Sequence, residues 1–105
     1  MEGAITVVAL LRLHPGKSDD FVAFEARACD IAARHGGKLD RRIILDDGED
    51  WDELHVWRFQ SRAHFDAYRA DPDLVELGPL RAHAIADTQV LIGRATAGPP
   101  GSSRS

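Results

Sequence analysis

The side chains most able to do chemistry in this sequence are five histidines, His14, His35, His55, His64 and His83, since imidazole changes charge nearest neutral pH. No two of them stand at the spacing of a metal-ligand motif, so no metal is expected. His55 is the most informative, because it lies mid-strand in a β-rich run, in the same row as Trp57 and Phe59. It can act as a general base there, or it is a core or interface histidine bonded to backbone or a carboxylate. His83 either faces the same interior space or lies exposed on a helix. Tyr68 offers a phenol that both donates and accepts, which suits a bound carbonyl, and it equally suits an amphipathic core position. Arg12, Arg41, Arg42 and Arg58 are strand arginines, of which one turned inward could orient a carboxylate or enolate, while others edge the sheet in ion pairs. Cys29 is the single cysteine and reads as a structural thiol, excluding an intramolecular disulfide. The acidic stretch 46–53 lacks the Ca²⁺-loop pattern and reads as a solvated turn. No Ser/His/Asp set, P-loop or dinucleotide fingerprint is present, so no cofactor is expected.

These residues need elements to position them. Residues 4–13 alternate as a strand, with Ile5, Val7, Ala9, Leu11 and Leu13 on one face and Thr6, Val8 and Leu10 on the other. Ser18 is the expected cap of a helix over 18–35, whose stripe is Phe21, Phe24, Ala28, Ile31 and Ala32, with Glu25 largely outside it. Gly36 and Gly37 end the helix, and residues 39–45 form a second strand. An acidic hairpin leads into a third, residues 53–59. Ser61 caps a second helix carrying Phe65 and Tyr68, and Asp71 with Pro72 starts a further turn. The stripe of Leu74, Leu77, Leu80, Ala84 and Ile85 continues past a break at Gly78 and Pro79, and residues 88–94 form a fourth strand. Residues 95–105 are Gly, Pro and Ser-rich and read as a disordered tail, leaving one domain over 1–94.

The order β, α, β, β, α, β is the ferredoxin-like α+β arrangement, a four-stranded antiparallel sheet with its helices on one face. Both sheet faces are apolar: Val8 and Leu10 stand opposite Ile5, Val7 and Leu11, Ile44 opposite Ile43 and Leu45, Trp57 and Phe59 opposite Leu54 and Val56, and Leu91 opposite Val90 and Ile92, while two helices can cover only one face. A second copy of the chain is therefore expected to cover the other face, at about 25 cal/mol per Å² buried. The chain has 105 residues, 44% hydrophobic and 29% charged, which fits one globular domain and excludes a disordered or collagen-like chain. Thirteen Lys and Arg against 17 Asp and Glu give a net charge of −4, which argues against nucleic acid as partner. The apolar run 4–11 stops at Arg12, short of the roughly 18 residues of a membrane span, so no membrane partner and a cytoplasmic location are expected.

The element order, the two-faced sheet, and the runs 57–61 (Trp-Arg-Phe-Gln-Ser) and 65–72 (Phe-Asp-Ala-Tyr-Arg-Ala-Asp-Pro) resemble the dimeric α/β-barrel superfamily, near its antibiotic-biosynthesis monooxygenase and EthD-like branches. The resemblance implies a homodimer of sheets packed face to face, and a small, partly apolar aromatic or carbonyl ligand held between sheet and helices. Cofactor-free monooxygenase or isomerase chemistry would then rest on His55 and Tyr68, with Trp57, Phe59, Arg58 and His83 around the ligand. The haem-degrading members use an Asn, Trp and His triad. Here Phe59 stands where that Trp would be and Tyr68 where that His would be, and the chain contains no Asn, so haem degradation does not carry over. The competing reading is a non-catalytic accessory or interaction protein whose core is filled by its own side chains. A cleft of a few hundred Å³ holding His55 and Tyr68 separates the two.

Overall fold

The computed structural model describes residues 3–96. In chain order the elements are β1 (Ile5–Leu13), α1 (Ser18–Arg34), β2 (Gly37–Ile44), β3 (Glu53–Phe59), α2 (Arg62–Ala70), α3 (Pro72–Glu76), α4 (Gly78–Ala84) and β4 (Ile85–Gly93). The strands form one sheet in the order β2-β3-β1-β4 with antiparallel neighbours throughout, the ferredoxin-like α+β fold. From position 97 onward the tail expected over residues 95–105 lies outside the described residues.

Local chemistry sets most of the boundaries. Ser61 Oγ accepts from the His64 backbone N–H at 3.1 Å and starts α2, and Asp71 Oδ1 accepts from the Asp73 N–H at 2.9 Å and starts α3. Gly36 leaves α1 at φ +70°, a conformation that glycine adopts without a Cβ clash. Three expectations shift. Ser18 is the first helical residue and not the cap, since Lys17 holds that position without a side-chain bond. β2 starts at Gly37, over which the Phe59 ring lies so closely that no side chain would fit. β4 starts at Ile85, whose backbone at the end of α4 is already extended and which pairs with Leu13 beyond a register shift that leaves Ala86 of β4 without a partner.

The register sorts the sheet into cross-strand rows. Facing the helices are Leu39, Trp57, Val7 and Ile92, then Arg42, His55, Ala9 and Val90, then Ile44, Glu53, Leu11 and Thr88. A β-bulge between Leu39 and Arg41 turns Arg42 and Ile44 to this side, which strict alternation from Leu39 does not anticipate. The core lies between this face and the helices, where Phe21, Phe24, Ala28 and Ile31 of α1 and Phe65 of α2 are buried against it. The opposite face carries two apolar rows, Arg41, Val56, Val8 and Leu91, and Ile43, Leu54, Leu10 and Gln89. No element of the described residues covers them, and Leu91 and Ile43 are 51% and 40% exposed.

Candidate functional site

Between the helices and the sheet lies an open cleft of about 430 Å³. Its origin is a change of side-chain size along β1, where Ala9 stands between Val7 and Leu11 and opposite His55, leaving a depression that α1 does not fill. Aromatic rings make the wall. Trp57 and Phe59 come from β3 and Phe65 and Tyr68 from α2, with Tyr68 ring centroids 5.3 Å from Phe59 and 6.2 Å from Trp57. The protein's own side chains leave this space open in the protomer, and it holds both His55 and Tyr68.

His55 sits at the floor of the cleft, 1% exposed. Its Nε2 donates to Glu53 Oε1 at 2.9 Å, and its Nδ1 lies 3.1 Å from Oε2 of Glu25, which α1 carries over the sheet. Glu53 is itself held by Arg42, whose Nε and Nη2 donate to its two oxygens at 2.7 and 2.8 Å. Burial opposes charging of His55, but the contacts with Glu25 and Glu53 outweigh it and hold its pKa above the ordinary histidine value. Burial also opposes the Glu53 carboxylate, yet Arg42 and His55 together keep its pKa below the usual carboxylate value. A carboxylate faces each ring nitrogen and the pKa is raised, which favours the doubly protonated ring, a form with no lone pair for the general-base role expected of His55. Glu25 is the acid of this cluster without an aligned hydrogen bond: its Oε2 is buried 3.1 Å from His55 Nδ1, and the residue lines the cleft.

Tyr68 lines the cleft as well. Burial first, then the negative field of Glu25, raises its pKa far above the usual phenol value, so it remains a neutral O–H donor. Cys29, packed near Trp57 and Phe59, is pushed up to about 11 by burial and by Glu25 and Asp30, and stays a thiol. The cleft thus combines a neutral donor, a carboxylate and a fixed cation within aromatic walls. That set can hold a carbonyl oxygen and receive a proton from the adjacent carbon.

Of the residues singled out in the sequence, His55, Tyr68, Trp57 and Phe59 meet in the cleft. Arg58 does not. One position out of step with Trp57, it points to the opposite face and pairs with Asp40 at 2.8 Å. His83 also stays out, exposed on α4 with its Nε2 3.2 Å from Asp20. Arg42 is the strand arginine that turns inward, and Arg12 pairs instead with Asp87 on the far face. In the sequence Glu25 reads as largely outside the apolar stripe, but it stands four residues after Phe21 and three before Ala28, a spacing that places it on the packed face. Arg69 and Arg81 also line the cleft, and no sequence signal marks them. Among the described residues no group of three or more His, Cys, Asp or Glu is arranged to hold a metal ion, and no helix is long and apolar enough to cross a membrane.

No family model and no curated protein matches the chain. Solved structures do. The methylated RPA0582 protein, which another structure describes as a protein of unknown function from Rhodopseudomonas palustris, is similar with a TM-score of 0.77 at 23% identity over 94% of this chain and 86% of that one. An uncharacterised NIPSNAP-like domain protein from Burkholderia xenovorans gives 0.70 at 19% identity, covering 95% of this chain and 91% of that one. SnoaB, a cofactor-independent oxygenase from Streptomyces nogalater, gives 0.70 at 16%, covering 93% and 98%. At these identities the likeness is one of fold, and the fold is the ferredoxin-like one.

Proposed function

We propose that this protein binds a small, partly apolar carbonyl compound in the cleft between sheet and helices and moves a proton on it without a cofactor, working as a homodimer. The observation that carries the reading is the convergence of Glu25, His55 and Tyr68 on one open cleft with aromatic walls. Tyr68 donates to the carbonyl oxygen. Glu25 takes the proton from the adjacent carbon, the C–H electron pair passes into an enolate, and Tyr68 holds the enolate oxygen. Returning the proton at another carbon gives an isomerase; with dioxygen as co-reactant and electron acceptor, the same enolate gives an oxygenase. His55 is a positioning residue, clamped by Glu53 and Arg42 and aligning Glu25. The similarity of fold to a cofactor-independent oxygenase is compatible with the second outcome.

The test is a thermal-shift and fluorescence screen with aromatic acids, quinones and haem, Trp57 serving as a reporter in the cleft wall. At least one aromatic acid or quinone should stabilise the protein, and Ala9→Leu, which fills the floor, should remove that stabilisation while leaving the fold intact. If nothing in the screen binds, or if Ala9→Leu binds as well as wild type, the cleft is not a ligand site.

A further inference from the structure

The charged side chains that line the cleft fall into two sets, one paired and one not. At the floor the carboxylates of Glu25 and Glu53 are matched by the His55 imidazolium and the Arg42 guanidinium. Arg69 and Arg81 also line the cleft, both on the solvent-exposed side of the helices, and neither is ion-paired with a carboxylate among the described residues, unlike Arg12, Arg34, Arg42, Arg58 and Arg62. Both are held by neutral groups of the cleft lining. The Arg69 guanidinium lies over the Phe65 ring, 5.4 Å from its centroid, and Arg81 Nη2 donates to Thr88 Oγ1 at 2.8 Å. A guanidinium fixed by an aromatic face or a hydroxyl keeps donors free for an incoming group. Arg27, Arg41 and Arg94 also lack an ion pair among the described residues, but they do not line the cavity, so Arg69 and Arg81 are the unmatched cations placed where an anionic ligand with an apolar body could meet them.

We infer that the ligand is an amphipathic organic acid whose carboxylate is held by Arg69 and Arg81 at the mouth while its aromatic or carbonyl body lies against Trp57, Phe59 and Tyr68. The inference rests on the cleft being a ligand site and adds the class and direction of the ligand. Glu25 repels a second carboxylate from the floor, so only one orientation is allowed: anion outward, proton-donating carbon inward. The arginines select for charge and the aromatic wall for shape, and neither selects alone.

Two probes of matched ring size separate these contributions, 2-naphthoic acid and its neutral counterpart 2-acetylnaphthalene, titrated by calorimetry into wild type, Arg69→Gln, Arg81→Gln and the double variant. Both arginines are exposed, so the variants should melt as wild type does. The acid should bind at least about tenfold more tightly than the ketone, each single variant should weaken the acid by roughly three- to tenfold, and the double variant should bind both probes alike. Raising salt should weaken the acid and leave the ketone unchanged. Equal binding of acid and ketone by wild type, or an acid preference that survives in the double variant, overturns the inference while leaving the cleft a ligand site. Binding of neither probe overturns both.

Discussion

At the scale of single residues, His55 decides how the site behaves with pH. Its two nitrogens face Glu25 and Glu53, and its pKa in the folded chain is raised above the ordinary histidine value. A raised folded pKa means that protonation favours the native state. The stabilisation is complete below the ordinary histidine pKa and is lost as pH rises through the raised folded value. Glu53 works in the other direction: its lowered pKa gives stability that disappears as pH falls through the folded value in acid. Urea melts across pH should therefore show stability declining as pH rises from the ordinary histidine pKa through the raised folded one, and His55→Gln should abolish that slope. The same substitution should cost about 3 kcal/mol near neutral pH, toward the low end for a broken buried ion pair because Arg42 still holds Glu53. A variant that melts like wild type at neutral pH, or keeps the alkaline slope, would show that the imidazolium does not hold the two carboxylates together.

At the scale of elements, the junction between α2 and α3 is where the helical layer is fastened. Asp71 Oδ1 caps α3, while its Oδ2 accepts from His35 Nε2 at 2.8 Å and lies 3.5 Å from Arg34, tying the end of α1 to the helices across the cleft. Asp71→Ala removes the cap and the tie together and should lower stability by about 1–2 kcal/mol in equilibrium unfolding, with Asp71→Asn recovering the larger share. Glycine matters at one nearby point: Gly37→Ala has to displace the Phe59 ring from the cleft wall and should lower both the melting temperature and ligand affinity. The caps at Ser61 and Asp71 and the glycine exit were legible in the sequence because each is a short-range rule satisfied by neighbouring residues. The alternation of β1 and β3 was legible for the same reason, and it put His55, Trp57 and Phe59 in one row, while which face of the sheet that row takes is set by the packing of the helices. What the sequence hid depends on long-range packing. The bulge after Leu39 turned Arg42 inward, α1's crossing over β3 brought Glu25 to His55, and the early start of β4 followed from α4 running directly into Leu13's partner. Arg58 was misplaced by reading proximity in sequence as proximity in space, although neighbours in a strand face opposite ways.

For the whole molecule, the helix-free side of the sheet is the surface on which the proposed homodimer is tested. Its two apolar rows end in Arg41 and Ile43 on β2 and in Leu91 and Gln89 on β4, with Val8, Leu10, Leu54 and Val56 between them. An apolar surface running across four strands is more than a lone chain ordinarily leaves in water, and a twofold axis through it would let the same rows meet themselves. Leu91 and Ile43 are suited to test this, since both are more than one-third exposed in the protomer and a charge there leaves the core between sheet and helices untouched. Leu91→Asp with Ile43→Asp places each carboxylate twice in a symmetric interface, and each burial costs at least the roughly 1.5–3 kcal/mol of a lost large apolar side chain. Dimerisation should weaken by more than about a hundredfold, while far-UV circular dichroism remains that of wild type. Sedimentation at micromolar concentration should then give wild type at twice the 11.5 kDa chain mass and the double variant at that mass itself. If wild type already sediments as a single chain, the exposed rows are not a dimer face. Ligand titrations on the double variant carry the argument one step further: the cleft lies on the other side of the sheet, and its lining comes from one chain, so a dissociated protomer should still bind.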